Sequence, residues 1–377
     1  MSERLESPRS WRILGIETSC DETSAAVVEG DAEHPVLRSL VILSQDVHRL
    51  FGGVVPEIAS RQHLTGIVPA VQAALDEAGV TLHDLDAIAV THAPGLVGAL
   101  LVGTSYAKAL GFAIGVPVVP VHHLEGHLFA TLLEQPDATP PFTALLVSGG
   151  HTLLLDVPAW GTYHLLGQTR DDAAGEAFDK VAKLLGLPYP GGRPLEELAR
   201  TSDTGAYRFG KPMVRTNAKP GDDDYFDLSF SGLKTAVLLK VRDAEASGTL
   251  DEHRASIAHA FQDAVIGTLT DKVERAVRMF NRKRIVLGGG VACNLALQDS
   301  MQQRFAARSA HVFAPSPRLA TDNAAMIAAA GLFRFAAGER AAPSLTARST
   351  LPLPGMLRYA VATERPRLTQ STLADSA

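Results

Sequence analysis

Cysteine is nearly absent. Cys20 and Cys293 are the only two in 377 residues, too few for a disulfide framework, and a reducing cytoplasm suits this usage. Also missing is a clean, uncharged apolar run of about 18 residues, so no membrane span is expected. The opening MSERLESPRSW is polar and lacks the apolar core of a secretion signal. Charge of one sign does not dominate. The formal net charge is −6, which gives no global nucleic-acid signature but leaves room for a local basic face. No GxxxxGK[ST] stretch occurs, which disfavours a Walker-type NTPase.

What is present suits an α/β protein long enough for two packed lobes, with 46% hydrophobic and 20% charged residues. RILGIET (12–18) and AAVVEG (25–30) read as two strands around a polar turn. A helical apolar period runs from Glu57 to a stop at Gly79, and GALLVGTSYAKALGFAIG reads as a buried helix. DAIAV and VPVVPV are strands. TALLVSGGHTLLLDV (143–157) repeats the strand, small-residue turn, strand design of the N-terminus, and KRIVLGGGV is a further strand ending in glycines. The pattern leaves two readings: a duplicated two-lobe fold with a cleft facing both turns, or two unrelated hairpins. From Ala341 onward periodicity is lost to Pro, Ser and Thr, so this end is expected to be largely disordered. Residues 210–227 read as an exposed loop.

The segment VHHLEGHLFA (121–130) carries three histidines. On a helix His123 and His127 lie about 40° apart, on one face, where two imidazoles can share a cation. A zinc protease of the HExxH type has the same spacing but sets its general-base Glu directly after the first His. Here Leu124 holds that position, and Glu125 projects about 200° away from His123. The protease reading fails there. Asp322, in LATDNAAMIAAAG, is the candidate third ligand, although an Asp ahead of an alanine-rich helix is equally explained as its N-cap. The glycine turns SGGHT (148–152), YPGGRP (189–194) and GGGVACN (288–294) could admit an anion or a flat ligand to the backbone. With the acidic DDAAGEAFDK (171–180), they suit a nucleotide-shaped cleft.

GIETSCDETSAAV, GGVVPEIASRQH, PGLVGALLVG, HHLEGH, LLVSGGHT, DDAAGEAFDKVAKLLGLPYPGG, SFSGLKTAV, GGGVACN and TDNAAMIA occur in this order from residue 13 to about 335. Together they resemble the TsaD/Gcp family of tRNA N6-adenosine threonylcarbamoyltransferases, once taken for endopeptidases. The resemblance implies an actin/Hsp70/sugar-kinase (ASKHA) fold. It divides the chain into a tail (1–11), a first lobe (12–140), a second lobe (141–335) whose end from about 310 packs back to complete the cleft, and an extension (341–377). By its motifs, His123, His127 and Asp322 would bind one divalent metal per subunit, Fe2+ as first choice and Zn2+ as second. Ser148, Gly149, Gly150, His151, Thr152, Asp179, Gly192 and Asn294 would bind substrate. Glu196 stands where some members have an Asp for a ribose contact, and Ala93 where a Gly is usual.

The implied reaction transfers threonylcarbamoyl from threonylcarbamoyl-AMP to N6 of the adenosine 3′ to the anticodon in tRNAs reading ANN codons. That base lies in a single-stranded loop and reaches a cleft without duplex melting. The implied partners are a TsaB-like protein and a TsaE-like ATPase, with no membrane. Asp21 and Glu22, in the first hairpin turn, are further positioning or proton-transfer candidates, with turn solvation as the alternative. The rival activities are a metalloendopeptidase and an ASKHA-type ATPase or kinase.

Overall fold

The computed structural model describes residues 10–202, 206–222 and 224–359. The strands are β1 (Trp11–Glu17), β2 (Glu22–Gly30), β3 (Pro35–Ser44), β4 (Ala87–Ala93), β5 (Val118–His122), β6 (Phe142–Val147), β7 (Thr152–Ala159), β8 (Thr162–Gln168), β9 (Arg284–Gly288), β10 (His311–Phe313) and β11 (Met356–Arg358). The helices are α1 (Pro56–Ala78), α2 (Val97–Ile114), α3 (His123–Ala130), α4 (Ala174–Leu184), α5 (Gly192–Ala199), α6 (Ser231–Ala246), α7 (Leu250–Phe280), α8 (Leu295–Ala306), α9 (Pro317–Ala320) and α10 (Ala324–Ala336). One sheet has the order β3-β2-β1-β4-β5, the other β10-β9-β6-β7-β8-β11. Without β11 the two orders are the same, with β6 in the place of β1 and β9 in the place of β4. In both sheets the leading pair is antiparallel and the following strands are parallel to the first. The repeated hairpins are therefore a duplicated fold.

The central strands are covered on both faces, which is why ILGI, AIAV and ALLV are continuously apolar. The helix α10 returns from the second half of the chain to cover the first sheet. Its sequence, AAMIAAAGLFRFA, is small-residue-rich because the approach is close: a Cβ at Gly15 of β1 would stand 2.2 Å from Ala324 O. It also packs against α3, where a Cβ at Gly126 would meet the Ile327 side chain at 2.8 Å. The two elements carrying HHLEGH and TDN are thus held side by side in the core, bringing residues some 200 positions apart into one site.

Gly79 and Gly115 end α1 and α2 in the left-handed conformation, as the sequence pattern requires. By length and composition α2 meets the demands of a membrane crossing, although Lys108 interrupts it. Here it packs on β4 and beside α1, and Lys108 donates to Pro343 O and Leu345 O at 2.9 and 3.0 Å. Within 210–227 the fully buried Lys272 of α7 donates to the carbonyls of Met213, Asp224 and Tyr225, so this loop is pinned at its back.

The expectation of a largely disordered segment from Ala341 is corrected for 341–359. Ala341 N donates to Val118 O, Arg348 N to His92 O and Gly95 N to Ser349 O. The segment then crosses to the second sheet, where β11 pairs with β8 and Tyr359 N donates to Leu165 O. These are main-chain bonds, which need no apolar period in the sequence, and they strap the two lobes together. The tail at 1–9 and the end at 360–377 lie outside the described residues.

Candidate active site

The strand β5 runs straight into α3, and that junction sets His123 on the first helical turn and His127 one turn later. Both are buried, with rings 4.7 Å apart and nearly perpendicular. Asp322 Oδ1 lies 3.4 Å from the Nε2 atoms of His123 and His127 alike. One donor atom from each residue falls within 4.8 Å of the others. The N-cap explanation of Asp322 is replaced: Asn323 caps α10, its Oδ1 accepting from Met326 N at 3.0 Å, which leaves Asp322 for the histidines.

Burial alone would raise the Asp322 carboxyl, but the two imidazoles hold it far below the ordinary carboxylate range. His127 is pushed down by burial, and neither of its ring nitrogens has a hydrogen-bond partner of proper geometry. A buried imidazole without a partner is costly, and a cation shared with Asp322 would satisfy it. The donor set fits a metal on that observation.

Sequence reasoning did not anticipate what orients His123. Its Nδ1 lies 3.1 Å from Glu17 Oε2 and 3.2 Å from Ser19 Oγ. Glu17 is fully buried and also accepts from Thr91 Oγ1 at 2.7 Å and from the Ser19 amide. A carboxylate on Nδ1 turns Nε2 toward the shared position, the usual support of a metal-binding histidine. The available signal was a Glu inside the apolar strand RILGIE. Glu125 points elsewhere, as its helical angle requires. It is sealed in the core, paired with Arg334 and accepting from Tyr163 Oη at 2.6 Å. It cannot reach a water on the metal position.

Beside the histidines runs SGGHT. Ser148 N donates to His151 O at 2.8 Å and His151 N to Ser148 Oγ at 3.1 Å, closing the turn. Gly149 and Gly150 face open space. His151 lies on the metal side, pushed down to about 4 by burial and by His123 and His127, so it is neutral at physiological pH. Thr152 is buried, its Oγ1 accepting from Ala174 N at 2.9 Å at the start of α4, so its side chain helps to shape the turn. Gly175 allows α4 this approach, since a Cβ there would stand 2.6 Å from Ser148 O.

The other side of the turn opens on a cleft of about 910 Å³, lined by Gly149, Asp179, Gly192, Glu196, Asn294 and Thr321 among others. Thr321 is the neighbour of Asp322, so metal position and cleft adjoin. Asp179 Oδ1 accepts from Gly191 N at 2.7 Å, and burial raises its carboxyl. Two other expected ligand-binding residues are engaged by the scaffold. Asn294 caps α8 through Leu297 N and donates to Gln262 Oε1, both at 2.9 Å. Glu196 Oε1 accepts from Leu295 N and from Arg200 at 2.9 and 2.7 Å, tying α5 to α8. Arg49, Phe178 and Tyr189, not singled out in the sequence, also line the cleft. Of the turn candidates, Glu22 is pushed up by burial and then by the neighbouring carboxylates of Asp322 and Asp21.

Known proteins resemble this chain in sequence and in fold. The family described as "TsaD: tRNA N6-adenosine threonylcarbamoyltransferase" matches residues 36–329. The tRNA N6-adenosine threonylcarbamoyltransferase of Gemmatimonas aurantiaca is 73% identical over 350 residues, covering 92% of this chain and 98% of that protein. Among solved structures, full-length HypF in a phosphate- and nucleotide-bound form aligns with a TM-score of 0.57 at 13% identity, over 87% of this chain and 47% of HypF. Component A of the (R)-2-hydroxyglutaryl-CoA dehydratase of Acidaminococcus fermentans aligns with a TM-score of 0.51 at 15% identity, over 87% and 99%. These two show the shared fold alone.

Proposed function

This chain belongs to the TsaD family and is a tRNA N6-adenosine threonylcarbamoyltransferase, and from that premise we propose how its two adjoining sites divide the reaction. The enzyme forms t6A, carrying threonylcarbamoyl from its AMP anhydride to N6 of the adenosine 3′ to the anticodon. The N6 lone pair is delocalised into the adenine ring, so attack needs an activated carbonyl. The N6–C bond forms, the anhydride C–O bond breaks, N6 loses a proton and AMP departs.

In our reading the AMP part occupies the cleft, whose volume falls within the range usual for ligand sites. Asp179 would hold the ribose hydroxyls, and Gly192, with nothing within 4 Å of its Cβ position, leaves room for the nucleoside. The amides of Gly149 and Gly150 would take the phosphate or carboxylate. Asn294 and Glu196 act mainly by fixing the walls. His123, His127 and Asp322 would hold one divalent metal, iron(II) before zinc, since two imidazoles and a carboxylate suit both. Such a metal supplies Lewis-acid polarisation of a substrate oxygen. Glu17 would keep His123 aimed at it. The observation that carries this division is the SGGHT turn, with one face on the histidines and the other on the cleft.

The test is single-turnover transfer from preformed threonylcarbamoyl-adenylate to unmodified tRNA, followed by nucleoside analysis. Losing a hydrogen bond from Asp179 to a ribose hydroxyl costs about 1–3 kcal/mol, a roughly five- to hundredfold loss of donor affinity. Asp179→Asn keeps an acceptor for Gly191 N, and is expected to show this loss with its metal content intact. Equal donor affinity in parent and variant removes Asp179 from the site.

We also place the enzyme in the cytoplasm, with a TsaB-like partner and a TsaE-like ATPase. The TsaB-like partner is supported by the outer face of α1 and α2, where Leu64, Val68 and Leu101 line a shallow groove and Val97 adjoins its Gly98 wall, each of the four more than half exposed. Four such residues together exceed the scattered apolar exposure of an ordinary surface. Leu101→Asp is expected to abolish co-elution with a TsaB-like protein while leaving the melting temperature unchanged. Undiminished co-elution puts the partner elsewhere.

A further inference from the structure

In a chain of net charge −6, residues 272–308 hold eight Lys and Arg against Glu274 and Asp299 alone. The structure gathers part of this excess at one end of the second lobe. Arg278, Arg304 and Arg308 all reach Glu274, at 2.6, 2.6 and 2.7 Å. Arg304 and Lys211 share Asp271 at 3.0 and 2.8 Å, and Lys283 Nζ donates to Arg308 O at 3.3 Å. Four cations are thus linked through two carboxylates, and Lys283 joins them through a main-chain carbonyl. Glu274, which burial would raise, is held below the ordinary range by Arg304, Arg278 and Arg308. Three guanidinium groups on one carboxylate cannot be neutralised by it. They retain donors toward solvent, and Arg278 is 60% exposed.

The cluster lies at a fixed distance from the chemistry. The helix α8 begins at Leu295 in the cleft wall and carries Arg304 nine residues on, about 14 Å along its axis. The strand β9 runs the opposite way, from the Lys283–Arg284 end to the glycine turn of the cleft. Both elements therefore act as spacers between the basic end and the site. A nucleic-acid strand covers about 14 Å in roughly four steps of 3.4 Å.

We propose that Arg278, Lys283, Arg304 and Arg308 form a phosphate-binding face that grips the backbone of the tRNA stem while the loop adenosine enters the cleft. The forked guanidinium matches phosphate oxygens, and the enzyme's acceptor is a polyanion. Contacts of this kind position the RNA without reading its sequence. An acidic protein docking on the same face is the competing occupant, and it offers no reason for the fixed spacing to the cleft.

The experiment is tRNA binding to the full chain across a salt series. The double variant Arg278→Gln/Lys283→Gln removes two charges and leaves Glu274 paired with Arg304 and Arg308, so the parent's melting temperature serves as the check of folding. At about 50 mM salt its affinity for tRNA is expected to fall by about tenfold, and the slope of log K against log salt to become shallower by about two. The charge-retaining Arg278→Lys/Lys283→Arg variant keeps the parent slope. Parental affinity and slope in the Gln variant overturn the proposal, as does loss of a protein partner with tRNA binding unchanged.

Discussion

Replacing His127 by alanine is expected to reduce bound metal from about one per chain to near zero, and single-turnover transfer by about a hundredfold or more. The first effect follows from the ligand count: two imidazoles and one carboxylate meet at the position, and a cation left with two protein ligands is lost to buffer. The second follows from the several kcal/mol that Lewis-acid polarisation contributes to a transition state. A merely structural histidine would behave differently in melting experiments. His127 is buried with no hydrogen bond of proper geometry, only a 3.4 Å approach to Asp322 that His123 also makes, so its removal in the presence of chelator costs a small cavity and one of the two partners of Asp322. With metal present, the parent gains the binding free energy and the variant does not. Parent and His127→Ala are therefore expected to melt at similar temperatures in chelator and apart in added iron(II) or zinc. Glu17→Gln is the graded companion: it weakens metal affinity by about 10- to 100-fold through misaligned His123. Retention of stoichiometric metal by His127→Ala places the metal elsewhere.

Arg334→Met is expected to destabilise the fold by about 3–5 kcal/mol. Arg334 is the charge partner of Glu125, which is fully buried and whose remaining hydrogen-bond donor is the Tyr163 hydroxyl. Burial already raises the Glu125 carboxyl, and without the guanidinium it must either take up a proton or stand as an uncompensated charge. At roughly 2–3 °C per kcal/mol for a chain this large, the melting temperature falls by about 10 °C. The double variant Arg334→Met/Glu125→Gln removes the orphaned charge and should recover much of that loss. If Arg334→Met melts with the parent, the pair is not the internal brace described here. The same pair bears on the old endopeptidase reading. A glutamate locked to an arginine on the far side of α3 has no access to a metal-bound water, so no chelator-sensitive peptide cleavage is expected. Robust cleavage of that kind would contradict the division of roles above.

Several of these features are local in their physics and so were legible in the sequence. The i, i+4 spacing of His123 and His127 sets them on one face of any helix, and the displaced Glu125 condemned the protease reading without coordinates. The period of α1 and its glycine stop, the hairpin polarity and the glycine turns are decided by neighbouring residues alone. Their order along the chain was specific enough to assign the family. Other features depend on which elements meet, and only the tertiary structure decided them. Whether Asp322 or Asn323 caps α10 turns on the position of α3 beside it, 200 residues earlier in the chain. Asn294 and Glu196, which line the cleft, are also engaged by Gln262, Leu295 and Leu297, and Glu17 reaches His123 because β1, β4 and β5 lie side by side in one sheet and α3 continues directly from β5. The ordered strap at 341–359 left no trace in composition because its bonds are made by the main chain, which every sequence possesses. Helical spacing and turn chemistry act over a few residues and can be read from them. The partners of a buried polar group are chosen by packing, and packing is settled only when the whole chain has folded.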